Sequence, residues 1–337
     1  MPSHIKPIAG AFDRVPLAET VPLKSPLSLY VFPSNACNFR CTYCAHSMKK
    51  DELREVYGIE NDFMSLDTMR KIVEQSKAFD PYKVMLFVSQ GEPLLNMQLP
   101  QMIKLASDND LAGRYEIISN GSLLTKGYSD ALIDSGLTNL RVSLQGLDPQ
   151  NYRDTCGVAV DVEKLRGELE YFYRHKRGGM GLFVKVMDVA LPDGGEERFY
   201  KIFGDICDRM YVEHVQPVYH AVDVPRSAAL SDRYGNKHAP RFVCPFPFYQ
   251  LCVWPSGDVH PCDAIYRPVT LGNVHTSTLE QMWNGGILRE FRLNQLRGGY
   301  KTLPKCENCC APDDCSNAMD VLDGKREFLI SKIEASL

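Results

Sequence analysis

The sequence predicts an α/β protein, a partial (β/α)6 TIM-like barrel followed by a small C-terminal cysteine-rich domain. Three observations carry that prediction. Short apolar runs alternate with longer amphipathic stretches from residue 28 to about 216. The alternation stops in a polar, loop-like stretch around 217–240. Seven of the twelve cysteines lie beyond that break.

The apolar runs at 29–32, 84–88, 115–118, 140–144, 182–187 and 211–215 read as buried strands. Amphipathic stretches at 66–79, 99–109, 126–135, 162–175 and 196–209 read as the helices between them. Strand–helix alternation implies a parallel sheet with right-handed crossovers. Ligands of such a barrel gather at the C-terminal ends of its strands. The chain divides into an N-terminal extension (1–26), the barrel (27–217), a linker (218–240) and the cysteine-rich domain (241–337). In the last, a hairpin is expected from 250–253 and 258–261, then short helices and a final helix over 317–333.

At 337 residues the chain is long enough to bury a core without disulfide staples. Its 38 basic and 42 acidic residues leave a net charge of −4, which argues against a nucleic-acid partner. The first twenty residues are broken by prolines and charges and lack the apolar core of a signal peptide. No stretch reaches the roughly 20 apolar residues of a membrane helix. A cytoplasmic location follows as the expectation, and thiols there stay reduced. Clustered cysteines in that setting point to metal ligands.

Ser34-Asn35-Ala36-Cys37-Asn38-Phe39-Arg40-Cys41-Thr42-Tyr43-Cys44 follows the first predicted strand. Its Cys37-x3-Cys41-x2-Cys44 spacing gathers three soft thiolates, a set that suits iron–sulfur clusters. Three thiolates hold three irons of a four-iron cluster and leave the fourth open for chemistry. A zinc site completed by His46 is the alternative, although structural zinc more often uses two spaced ligand pairs.

The segment resembles the signature of the radical S-adenosylmethionine (SAM) superfamily, with Tyr43 as the aromatic residue before the last cysteine. In that family the open iron is chelated by SAM, and an electron from the cluster cleaves SAM to methionine and a 5′-deoxyadenosyl radical. The resemblance covers about residues 27–217. It implies that Tyr43 contributes to SAM binding. Ser89-Gln90-Gly91-Glu92-Pro93 resembles the family's Gly-Gly-Glu motif for the SAM amino group, with Gln90 at the first glycine. A carboxylate suits an ammonium, and a glycine lets a ligand approach the backbone. Asn120, in Ser119-Asn120-Gly121, resembles the family's Thr-Asn-Gly turn. Ser143 stands where members often place a ribose-binding serine, and Lys185 is implied as a partner of the SAM carboxylate.

The tail carries Cys244-x17-Cys262 and then Cys306-x2-Cys309-x5-Cys315. One tight pair falls short of the two that a zinc ribbon needs. With LGNVHTSTLEQMWNG between, the arrangement resembles the auxiliary-cluster region of SPASM and twitch radical SAM enzymes. That resemblance implies an auxiliary [4Fe–4S] cluster on four of Cys244, Cys262, Cys306, Cys309 and Cys315. Full SPASM domains carry later cysteines and two auxiliary clusters; none follows Cys315, so one is expected. Cys252 and Cys310 read as packed thiols, and Phe246, Phe248 and Tyr249 as packing beneath the cluster.

The expected reaction is hydrogen abstraction from a small molecule such as a sugar, aminosugar or cyclitol, with net dehydrogenation. Twitch enzymes that oxidise an aminocyclitol alcohol resemble this chain in length and cysteine layout. About 26 residues precede the first predicted strand, fewer than a peptide-leader-binding domain takes. Three alternatives remain: epimerisation with Cys156 returning the hydrogen, peptide maturation, and a noncatalytic zinc or iron–sulfur interaction module. A flavodoxin or ferredoxin is the implied electron donor.

Overall fold

The computed structural model describes residues 3–7, 14–88, 90–224, 231–314 and 317–335. β1 (His4–Ile5) and β2 (Ser28–Val31) are followed by β3 (Val84–Phe87), β4 (Tyr115–Ser119), β5 (Asn139–Leu144), β6 (Gly181–Met187) and β7 (Arg209–Glu213). β8 (Gln250–Val253), β9 (Asp258–His260) and β10 (Gly272–Asn273) belong to the C-terminal part. They form one sheet in the order β1-β7-β6-β5-β4-β3-β2-β8-β9-β10.

The six expected strands are present as a parallel sheet, and it is longer at both edges than expected. β1 pairs parallel with β7, and β8 pairs parallel with β2. Eight neighbouring strands therefore run the same way, and β9 and β10 complete an antiparallel meander. Phe32, just past β2, stacks on Trp254, just past β8, with ring centroids 4.7 Å apart. Such a pair contributes about 0.5–1.5 kcal/mol beyond its buried area. Barrel and C-terminal domain thus share a sheet and a packed seam.

Alternation along the strands sorts the side chains. On β5, Leu140, Val142 and Leu144 enter the core beneath the helices. Ser143 and Gln145 instead line the central cleft, as a period of two requires. The helices start where short polar side chains satisfy their free N–H groups. Ser65, Thr125, Asp148 and Asp161 accept from the backbone N–H of Thr68, Tyr128, Asn151 and Lys164.

Several elements differ from expectation. The helix expected over 196–209 is Gly195–Phe203, and Arg209 already belongs to β7. The final helix expected over 317–333 is broken, because Val321 is extended (φ −74°, ψ 123°) and the continuous helix is Arg326–Ala335. Helices Lys50–Tyr57 and Pro149–Cys156 lie where no element was predicted. The described part of 218–240 is tied down: the His214 N–H donates to Arg233 O at 2.8 Å, and the Arg233 guanidinium pairs with Asp314 and Glu213.

Candidate functional site

A cleft with a cavity volume of about 190 Å³ opens at the C-terminal strand ends. Cys37, Cys41 and Cys44 line it, together with Tyr43, Gln90, Gly91, Glu92, Asn120, Ser143 and Lys185. All the barrel residues singled out in the sequence, Cys156 excepted, therefore come together there.

The cysteine loop is positioned by β3 and β4. The Glu92 N–H donates to Ala36 O at 2.7 Å. A Cβ on Gly91 would stand 2.4 Å from that same oxygen, so only glycine lets the two segments touch. Asn120 Nδ2 donates to Asn38 Oδ1, and Asn38 Nδ2 to Ser122 Oγ, each at 2.9 Å. Gly121 turns the chain here at φ +73°, and a Cβ would meet Val142 at 2.9 Å. Asn120 thus braces the loop as well as facing the cleft.

Glu92 is 2% exposed and accepts three hydrogen bonds: from Leu94 N at 2.9 Å, Ser119 Oγ at 2.7 Å and Asn120 N at 2.7 Å. Burial outweighs these donors and pushes its carboxyl up to about 7. A carboxylate has about four acceptor positions, so one remains for a ligand cation. Burial also pushes the Cys37 thiol up to about 12, and Cys41 and Cys44 upward as well. A bound cation would reverse that, since metals deprotonate coordinating thiols outright.

The zinc alternative fits less well. His46 Nε2 is engaged with Gln90 O at 2.5 Å. Among the described residues no three His, Cys, Asp or Glu side chains converge on one metal position. Zinc draws its sulfurs to about 2.3 Å of a single point, whereas a four-iron cluster spreads its thiolates around a cube. Three thiols on one wall, with no fourth described cysteine in the lining, fit a four-iron cluster with an open iron.

Two expectations change. Lys185 reaches the cleft, but its Nζ donates to Glu213 Oε2 at 2.6 Å. Its charge is matched inside the barrel by Glu213, which takes one of its three N–H donors. Cys156, expected on the substrate side, is fully buried at the end of helix Pro149–Cys156, and its Sγ donates to Tyr152 O at 3.1 Å. The N–H of Arg40 donates to its carbonyl, so Cys156 packs beneath the cysteine loop and does not line the cleft.

The sequence reading missed Gln145 and Tyr219. Gln145 follows Ser143 by two residues, and strand alternation alone would have found it. It accepts from the Tyr43 hydroxyl. Tyr219, assigned to a linker, enters the cleft; its hydroxyl donates to Gln90 Oε1 at 3.2 Å and lies 3.9 Å from Cys44 Sγ. No local pattern marks it.

A second pocket gathers Cys244, Cys262, Cys306 and Cys309 among Phe246, Phe291 and Tyr300. All four thiols are buried. Cys252 and Cys310 do not line it, and Cys315 lies outside the described residues. Four thiols around an apolar pocket fit an iron–sulfur cluster closed by protein ligands. Gln90 joins the two sites: its Nε2 donates to Asp263 O at 2.9 Å, one residue from Cys262.

Two family profiles match the chain. The profile of the radical SAM superfamily matches residues 31–204, and that of SPASM, an iron–sulfur cluster-binding domain, matches 244–310. A probable GTP 3′,8-cyclase of Methanococcus vannielii is 31% identical over 191 residues, 56% of this chain and 60% of the relative. One from Methanococcus maripaludis is 36% identical over 129 residues, 38% of this chain and 40% of the relative. The chain thus spans about 40% to 60% of the length of these curated relatives.

Among solved structures, Streptococcus suis SuiB bound to precursor peptide SuiA aligns over 88% of this chain and 72% of its own, with TM-score 0.63 and 16% identity. anSMEcpe with bound AdoMet aligns over 92% and 98%, with TM-score 0.58 and 16% identity. BtrN in complex with AdoMet and 2-DOIA aligns over 88% and 94%, with TM-score 0.55 and 18% identity. At such identities these structures speak for the fold. No described helix is long and apolar enough to cross a membrane.

Proposed function

We propose, on the premise that this chain belongs to the radical SAM superfamily, that it dehydrogenates a small sugar, aminosugar or cyclitol. It is a radical SAM enzyme whose cofactors are a [4Fe–4S] cluster, SAM and auxiliary iron–sulfur in the C-terminal domain. When bound, these would supply a 5′-deoxyadenosyl radical that takes one hydrogen atom from a C–H bond, and an acceptor for the electron released as that carbon becomes a carbonyl and its hydroxyl proton passes to solvent. The protein's own residues bind, orient and shield.

Cys37, Cys41 and Cys44 hold the open cluster, and Glu92 offers its remaining acceptor position to the amino group of SAM. Asn120 and Ser143 also line the cleft, and Gln145 fixes the Tyr43 ring. Burial keeps the Tyr43 and Tyr219 phenols protonated, so the walls beside the thiolates stay uncharged. The four thiols of the second pocket hold the electron acceptor.

The observation that carries dehydrogenation over redox-neutral outcomes is the Gln90 bridge from the cleft wall to the residue after Cys262. A two-electron oxidation needs a home for its second electron, and the second thiol set adjoins the first through one side chain. The burial of Cys156 away from the cleft lining speaks against epimerisation with that thiol as hydrogen donor. A second reading, cyclisation of a nucleotide such as GTP, is favoured by the named relatives, whose match covers 38% to 56% of the chain. A cytoplasmic setting, with flavodoxin or ferredoxin as donor, would keep both thiol sets reduced and supplied with electrons.

The test is anaerobic turnover of the reconstituted protein with SAM, a reductant and candidate substrates in heavy water. Loss of two hydrogens from a sugar, aminosugar or cyclitol, with stoichiometric 5′-deoxyadenosine, is the expected result. A cyclised product from GTP, with the carbohydrates untouched, would replace the first reading with the second.

A further inference from the structure

Gln295, on helix Gly286–Gly298, is 1% exposed and lines the pocket of Cys244, Cys262, Cys306 and Cys309. Its Oε1 accepts from the Cys244 backbone N–H at 3.3 Å. That bond fixes which end of the amide is which, because the flipped amide would set donor against donor. The opposite atom, Nε2, has no hydrogen-bond partner among the described residues. The Cys306 sulfur is near enough to feel this amide, yet it is not placed to accept from it. A buried N–H pair without an acceptor is costly, and native structures rarely keep one without a reason.

We propose that Gln295 is a positioning and tuning residue for the auxiliary cluster, its Nε2 donating to a sulfur of the bound cluster or of a thiolate that ligates it. The inference rests on the assignment of those four thiols as its ligands. Hydrogen bonds to cluster sulfurs are among the factors that set reduction potential. A donor stabilises the reduced form, which carries the extra negative charge. Gln295 therefore makes the auxiliary cluster a better electron acceptor, in keeping with an oxidative reaction.

The test uses the full chain with Cys37, Cys41 and Cys44 changed to alanine, so that the remaining iron reports on the second pocket alone. Gln295→Leu and Gln295→Glu are added to it separately. Midpoint potentials are read by EPR-monitored redox titration, with iron counted in each sample. Both variants are expected to retain about four irons. Gln295→Leu should be about tenfold harder to reduce, about 59 mV more negative for one electron. Gln295→Glu, of the same shape but anionic, should shift at least as far in the same direction. It carries the test alone should Gln295→Leu fail to load. An unchanged potential in iron-loaded variants overturns the inference. An iron-free parent triple variant overturns the four-thiol assignment itself, and the inference with it.

Discussion

The two cysteine sites use the same side chain to opposite ends. In the barrel, three half-buried thiols share a cleft with a carboxylate, amides and hydroxyls. In the C-terminal domain, four buried thiols share a pocket with aromatic rings. A metal centre short of one protein ligand can bind and activate a substrate. A centre whose ligands are all protein stores or passes electrons. The difference is made by one thiol and by the polarity of the lining, and each part of it can be broken by mutation.

The largest effect is expected from replacing Cys37, Cys41 and Cys44 together by alanine. 5′-Deoxyadenosine formation, read by chromatography, should fall below detection, and about four irons should remain in the second site. Replacing Cys306 and Cys309 should do the converse, with SAM still cleaved and oxidised product lost.

Next in size is Glu213→Gln, which leaves the buried Lys185 ammonium without its anion. Breaking such a pair costs about 3–5 kcal/mol. Although burial works against it, Lys185 and Arg233 hold Glu213 below its ordinary value of 4.5. A lowered carboxylate stabilises the fold above its unfolded-state pKa and stops doing so as pH falls through the native one. The gap between wild type and Glu213→Gln in urea midpoints should therefore be full at pH 7 and shrink below pH 4.5.

A smaller change, Gln90→Gly, restores the family's usual residue and removes the contacts to Asp263 and Tyr219. Each lost hydrogen bond is worth about 1 kcal/mol. SAM cleavage should persist, while the ratio of oxidised product to 5′-deoxyadenosine falls. The least effect belongs to Cys156→Ala: product distribution should be unchanged. A stereochemical change on turnover would return Cys156 to the reaction.

How much of this was legible in the sequence follows from the range of each interaction. β5 and β6 announced themselves because buried parallel strands are short apolar runs, and the cysteine loop did so by spacing. β1 is two residues long and earns its place only by pairing with Arg209 and Met210, some two hundred residues away. The parallel seam of β8 on β2 is equally non-local. Lys185 was read as open to ligand because its partner Glu213 lies on another strand. Cys156 was read as a hydrogen donor on the substrate side, although Asp148 and Pro149 already marked the start of the helix that buries it. Gln295 carried no sequence signal, since its meaning lies in an atom left unpaired.

The Gln90 side chain spends both ends of one amide on partners in different parts of the chain, the Asp263 carbonyl and the Tyr219 hydroxyl. Neither part can drift from the strand end after β3 without stranding a polar group. Whatever motion admits a substrate or lets product escape must keep that three-way knot tied or re-tie it. The entrance is therefore expected to open by movement away from Gln90, with this corner of the mouth as its fixed post.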